Sequence, residues 1–305
     1  MTSPYNAPAS SLHTHSVYCD GSDAIETLCA AAFQKGLRTI GFSSHAPFLA
    51  KRMKPPPPQT QWHMRPQDIG AYLAEIHDAR RRWAGKLTVY AGLEVDYMKD
   101  IAGPADFAEY RTLKENPLHY IIASVHYLTP PRGEPFTVDG ADEEFESGVR
   151  HGYNGGIEEA VNAYWDAEEA LVEEGGFEIL GHVDLIKKNN AGEKYFSPQS
   201  EWFVKRLMRL AGRIADAGIT VEINTGGLNR GKTTELYPSP FFLRLLRQRN
   251  APVVITSDAH CAAHLDGCYP QAMEALRVAG YEEENVDFVK GAPLYRQRFI
   301  NTFKP

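Results

Sequence analysis

Ser11-Leu12-His13-Thr14-His15, followed by Asp20-Gly21, has a counterpart near the other end of the chain in Val253-Val254-Ile255-Thr256-Ser257-Asp258-Ala259-His260. Each stretch reads as a strand that runs into imidazole and carboxylate groups. Residues two apart on a strand share a face, so His13 pairs with His15 and Asp258 with His260. In a parallel barrel the first and last strands are neighbours, and the two clusters would meet. Imidazole plus carboxylate is the ligand set of catalytic Zn, Mn or Fe sites, which keep a position open for water. The pattern predicts a metal-dependent hydrolase.

Between these ends, strand and helix signals alternate, as in βα units that build a parallel sheet. Strands are expected at Ser11–His15, Thr39–Ser44, Leu87–Val95, Tyr120–His126, Glu178–Val183, Thr220–Thr225 and Pro252–Ser257, where Val, Ile, Tyr and Thr dominate. That makes seven, one short of the common eightfold barrel. Helix boundaries are expected at Asp23 with Glu26 as a capping box, at Gly36, Pro66, Gly85 and Gly175, at Ser197-Pro198 and Gly218, and at Ser239-Pro240 and Gly280. The chain, residues 1–305, reads as one domain with insertions near 46–65, which holds Pro55 to Pro58, and 129–156, rich in Gly and acidic residues. Both leave strand C-terminal ends, where barrel active sites sit and long loops serve as covers.

Ligand-type side chains gather at the same ends. His45 closes the second strand, Glu94 lies on the third, His126 closes the fourth and His182 the fifth. One buried histidine is ordinarily a hydrogen-bonded core residue. Six histidines and three carboxylates at one end of a barrel are costly to bury unless cations satisfy them. The sixth strand offers Glu222 and Asn224 instead.

Net charge is −7, which disfavours a general nucleic-acid or anionic-membrane surface but leaves room for a basic pocket that takes a phosphate. Met1 to Ser11 has neither a basic nor an apolar signal region, and no apolar run is long enough to span a bilayer. Cys19, Cys29, Cys261 and Cys268 form no C-x-x-C pair and read as reduced thiols, so a cytoplasmic location is expected. Oligomeric state is not encoded in any pattern here.

The order H-x-H, D-G, H, E, H, H, D-x-H resembles the polymerase-and-histidinol-phosphatase (PHP) superfamily. Cys19-Asp20-Gly21-Ser22, Ser43-Ser44-His45-Ala46-Pro47, Gly92-Leu93-Glu94-Val95-Asp96, Ser124-Val125-His126, Gly181-His182-Val183-Asp184 and Glu222-Ile223-Asn224-Thr225 are similar to its monofunctional histidinol-phosphate phosphatases. The resemblance implies a distorted (β/α)7 barrel with three divalent ions (Zn, Fe or Mn). It places His13, His15, Glu94 and Asp258 on one ion. Glu94 bridges to a second with His126 and His182, and Asp20, His45 and His260 hold the third. It implies hydrolysis of L-histidinol phosphate in histidine biosynthesis, with Asp258 and His260 also serving proton transfer and Arg230 and Lys187 holding phosphate. Arg132 and Lys232 are weaker phosphate candidates, and Glu222, Asn224, Asp96, Tyr97 and Glu235 are candidates for the amine or ring. The chain departs from the family at Ser44, where relatives often have Asp and which brings no carboxylate to His45, and at Lys187, near which relatives often carry Arg. The alternatives are another phosphoesterase of the superfamily acting on a small phosphomonoester or nucleotide, a scaffold without metals, and an amidohydrolase-like enzyme. The last would show a bridging Lys where His126 stands.

Overall fold

The computed structural model of the protein describes residues 10–47, 62–99, 101–104, 111 and 114–281. Its strands are β1 Ser10–Ser11, β2 Thr39–Phe42, β3 Thr88–Asp96, β4 Tyr120–Ser124, the hairpin β5 Tyr127–Leu128 and β6 Phe136–Thr137, β7 Ile179–Leu180, β8 Thr220–Asn224 and β9 Val253–Thr256. Seven of them form one parallel sheet in the order β1-β2-β3-β4-β7-β8-β9. The sheet curls until its ends meet. Beyond β1, Thr14 bridges Ala259 in parallel; His15 N–H donates to Ala259 O at 2.8 Å and Ala259 N–H to His13 O at 3.1 Å. The hydroxyls of Ser11 and Ser257 lie 2.8 Å apart just below. The fold is the (β/α)7 barrel expected, and its seam joins the two clusters with which the sequence begins and ends.

The helices α1 Ile25–Gln34, α2 Ile69–Arg82, α3 Asp142–Gly152, α4 Ile157–Glu174, α5 Glu201–Ala217, the short α6 Gly226–Asn229, α7 Pro240–Gln248 and α8 Tyr269–Ala279 follow their strands. Ser239 caps α7 by accepting the Phe242 N–H, with Pro240 in the first turn. Gly218 and Gly280 leave α5 and α8 at φ 64° and 82°, the left-handed region glycine tolerates. Two expected boundaries differ. Asp23 makes no capping box: its carboxylate accepts the Ala262 N–H across the seam, and Glu26 pairs with Arg82 and Trp83. Ser197-Pro198 forms a turn ahead of α5, whose N-terminal flanking residue is Ser200.

The segment 129–156, read from sequence as a loop, holds β6 and α3. Its acidic run Asp142-Glu143-Glu144 is the first turn of α3, where negative charge suits the helix dipole. A Cβ on Gly148 would fall 2.3 Å from the Phe136 ring, so a residue that weakens helix propensity is there for packing. Pro55 to Pro58 lies outside the described residues.

Inside the barrel, the fully buried Tyr120 spans from β4 to β1, and its hydroxyl donates to Leu12 O. A Cβ on Gly92 would sit 2.3 Å from the Tyr120 Cζ, and one on Gly41 2.3 Å from its hydroxyl. Gly92→Ala therefore overpacks the centre and is expected to cost about 1–3 kcal/mol, read as a lowered midpoint in urea unfolding. An unchanged midpoint would show that Tyr120 yields freely.

On α4, the fully buried Glu168 accepts the Tyr164 hydroxyl at 2.8 Å, and its other oxygen has no partner. Burial pushes its carboxyl well above the usual value, and the Tyr164 bond, which favours the charged form, does not offset that. The folded chain then keeps a proton the unfolded chain releases, so this group's contribution to stability falls as pH rises above the ordinary carboxylate range. Glu168→Gln is expected to raise Tm relative to the parent more at mildly alkaline than at mildly acidic pH. Equal shifts at both would contradict a protonated Glu168.

Candidate metal centre at the barrel mouth

Glu94, 1% exposed, stands at the middle of the site. Its backbone is locked to the neighbouring strand tip: Ala46 N–H donates to Glu94 O at 2.7 Å and Glu94 N–H to Ser44 O at 3.2 Å. One carboxylate oxygen, Oε2, lies 3.1 Å from His13 Nε2, 3.1 Å from His45 Nδ1 and 3.5 Å from His15 Nε2. The other, Oε1, lies 3.0 Å from His182 Nε2 and 3.7 Å from His126 Nε2, and accepts the Ser124 hydroxyl at 2.8 Å. Asp258 Oδ1 reaches His15 Nε2 at 3.2 Å and His13 Nε2 at 3.8 Å. On the outer side, Asp20 lies 3.3 Å from His15 Nδ1, 4.0 Å from His45 Nε2 and 3.1 Å from His260 Nε2. All nine residues named from sequence thus converge. Asp258 sits at φ 46°, a left-handed turn an Asp tolerates, which directs its side chain across the seam.

These contacts fit cations better than hydrogen bonds. Among the described residues His13 Nε2, His15 Nε2 and His45 Nδ1 are buried without a hydrogen-bond partner despite nearby carboxylates, because the rings are not aligned to donate; His182 Nε2, by contrast, is hydrogen-bonded to Glu94 Oε1. Ring centres are packed at 4.2 Å for His15–His260 and 4.6 Å for His15–His45, too close for all to carry protons cheaply. Three groups, His15/Asp20/His45/His260, His13/His15/Glu94 and His45/Glu94/His126, each bring ligand atoms within 4.8 Å of one another. Neutral imidazoles and carboxylates converging in this way suit Zn, Fe or Mn.

Burial would raise the carboxyl of Glu94, but the imidazoles of His13, His45 and His126 outweigh it and hold the group well below the usual range. Asp258 is likewise held low, against burial, by Arg230 and His13. Burial pulls His45 down to about 3, whereas Asp96 and Glu94 overcome burial at His126 and lift it to about 10. The carboxylates are therefore kept ionised by positive charge beside them, which the imidazoles supply here and bound cations would supply in their place.

A layer beneath holds the imidazoles in place. Glu222, fully buried on β8, lies 2.5 Å from His13 Nδ1 through Oε1, and its Oε2 accepts the His182 N–H at 2.8 Å and Asn224 Nδ2 at 3.0 Å. Asp96 on β3 lies 2.5 Å from His126 Nδ1 and also contacts His63 Nε2. Neither carboxylate lines the mouth, so these two candidates for the substrate amine act on the histidines. Asp96 is two residues from Glu94 and shares its face, a spacing that places it near the site without telling this role from substrate binding. Ser44, in place of a carboxylate, bonds Ser16 at 3.0 Å. Cys19 Sγ lies 3.4 Å from His15 Nδ1.

The mouth is a cavity of about 300 Å³ whose wall adds Trp62, Asp139, Leu185, Lys188, Lys232 and Arg230 to the converging set. Arg230 leaves α6 with Nη2 3.2 Å from Asp258 Oδ2, and its Nη1 is against His260. Lys187 faces away: its Nζ donates to Leu236 O at 2.6 Å and pairs with Asp184 and Glu235 in a neighbouring cavity. A tight 3-10 turn, Leu185–Lys187, rotates Lys188 to the mouth instead. Arg132 is bonded to Asn154 outside the mouth, and the buried Tyr97 and Glu235 do not line it.

Residues 11–226 match the PHP domain family. The chain belongs to it. Seven of the nine converging residues of this PHP domain lie inside that match, and Asp258 and His260 follow it. Among curated proteins, the chain is 28% identical over 270 residues to one of Deinococcus radiodurans named "probable histidinol-phosphatase", covering 88% of this chain and 92% of that one. It is 26% identical over 273 residues to a histidinol-phosphatase of Bacillus subtilis, covering 86% and 97%. The fold also matches histidinol phosphate phosphatase of Lactococcus lactis, solved with zinc, L-histidinol and phosphate, at a TM-score of 0.66, 20% identity and coverage of 90% and 94%.

Carboxylates that orient metal-binding histidines are worth about tenfold to a hundredfold in metal affinity. Glu222→Gln and Asp96→Asn are each expected to weaken metal retention in that range in a chelator-competition titration, with the far-UV spectrum unchanged. Parental affinity in both would mean that the imidazoles need no such support.

Proposed function

We infer that the protein is a phosphoric monoester hydrolase that converts L-histidinol phosphate to L-histidinol and phosphate in histidine biosynthesis, working in the cytoplasm as one catalytic domain with three divalent ions. The observation that carries this reading is Glu94: one oxygen faces His13, His15 and His45 and the other His126 and His182, as would suit a carboxylate shared by two cations. His13, His15, Glu94 and Asp258 would hold one ion, Glu94, His126 and His182 the second, and Asp20, His45 and His260 the third. Substrate and reaction follow from the curated relatives' names, supported by coverage of nearly their whole length. Among the described residues no helix is long and apolar enough to cross a membrane, and all four cysteines are unpaired.

When bound, the ions supply Lewis acidity: they neutralise phosphate charge and lower the pKa of water. The remaining work falls to side chains at the mouth. Arg230, fixed by Asp258, presents its guanidinium to phosphate oxygens, which it can bind two at a time. Lys188 and Lys232 add point charges on the same wall, so a chain of net charge −7 has a locally cationic pocket. His260, 22% exposed between Asp20 and Arg230, turns Nε2 toward Asp20 and so would ligate through that atom; with Asp258 beside it, it would orient a water that protonates the leaving oxygen. The buried layer of Glu222 and Asp96 keeps the imidazoles from turning.

Phosphate release from L-histidinol phosphate, beside nucleotides and other small phosphomonoesters, tests the reading, with Mn, Zn and Fe supplied in turn. His126→Ala and Asp258→Ala are expected to lower kcat by about a thousandfold or more and to reduce metal content. Full turnover in both variants, or a nucleotide outrunning L-histidinol phosphate in the parent, would defeat it.

A further inference from the structure

Four carboxylates line the mouth: Asp20, Glu94, Asp139 and Asp258. Three belong to the converging set. Asp139 does not, and its carboxylate meets Lys188 of the cationic wall only at 3.4 Å, which leaves it capacity for a second cation. Its backbone is built into place. Val138 N–H donates to His126 O at 2.9 Å, Asn189 Nδ2 donates to Gly140 O at 3.2 Å, and Lys188 Nζ donates to Asp139 O. The turn behind it has no room for a side chain: a Cβ on Gly140 would fall 2.3 Å from Thr137 Oγ1 and 2.5 Å from Glu144 Oε2. Glu144 Oε1 in turn accepts the Thr137 N–H and hydroxyl at 3.1 and 2.8 Å. The carboxylate is thus held on the rim, 28% exposed, with Oδ2 3.4 Å from Lys188 Nζ.

A cationic pocket attracts any phosphate ester, so charge at Arg230, Lys188 and Lys232 does not choose among them. A fixed carboxylate on the same rim does. It repels esters that carry only negative charge and favours one with a positive group near its phosphate. We propose that Asp139 is a specificity-determining residue that accepts the substrate's ammonium group, restricting the enzyme to phosphomonoesters of amino alcohols. The proposal rests on the phosphomonoesterase reading above and narrows it. It also supplies a partner for the amine that Glu222, Asn224 and Asp96, committed to the buried network, do not.

The test compares L-histidinol phosphate with its des-amino analogue in the metal-loaded parent and in Asp139→Asn, with Asp139→Ser as a second neutral variant should the first not fold. The parent is expected to favour the amine-bearing ester by about tenfold or more in kcat/KM, mostly through KM, as for a partly desolvated charge pair. The neutral variants lose that preference and Asp139→Glu keeps most of it. A preference that survives neutralisation overturns the proposal. So does an equal loss on both esters, which would mean that Asp139 only positions Lys188. If the parent releases no phosphate from L-histidinol phosphate, the functional reading fails by itself. Asp139 is then judged by the same ratio for aminoethyl phosphate against ethyl phosphate.

Discussion

A carboxylate sealed among imidazoles governs this molecule. Glu94 is nearly inaccessible, and burying its charge is unfavourable unless positive or donor groups surround it. Five histidines do so, and they come from four separate parts of the chain: His13 and His15 beyond β1, His45 beyond β2, His126 beyond β4, His182 beyond β7. No shorter assembly of strands brings them together. Closure of the sheet between Thr14 and Ala259 then adds Asp258 and His260 from β9. The barrel's architecture and the centre's composition are one constraint seen twice.

The same logic extends downward and outward. Below the imidazoles, Glu222 and Asp96 fix His13 and His126 by the nitrogen turned away from the centre, leaving the other nitrogen free to face it. Above them, the sign of the field reverses. Arg230, Lys188 and Lys232 line the exit from a carboxylate-rich floor, a field that favours an anion, and the rim also carries Asp139 and Trp62.

Much of this is readable without coordinates, and unevenly so. The alternation of Val- and Ile-rich runs with capped helical stretches is local, and it marks β3, β4, β8 and β9 closely. The nine ligand-type residues stand out because they recur at strand tips. The helix α3 is hidden, since its glycines at 148 and 152 lower helix propensity and serve contacts with Phe136 and Pro130 that sequence does not display. Lys187 and Lys188 are indistinguishable as letters; a single short turn between them decides which enters the mouth. Glu222 and Asp96 look like substrate ligands because both lie on strands next to the site, and only their contacts with His13 and His126 reveal otherwise.

The order and spacing of His13, His15, Asp20, His45, Glu94, His126, His182, Asp258 and His260 are enough to specify a parallel barrel built around cations, because strand periodicity and ligand chemistry are both local properties of the chain. Which carboxylates support histidines, which lysine enters the mouth and that Asp139 is left facing it emerge only when distant segments pack. Those outcomes depend on side-chain direction and burial, and both are set by neighbours far away in the sequence.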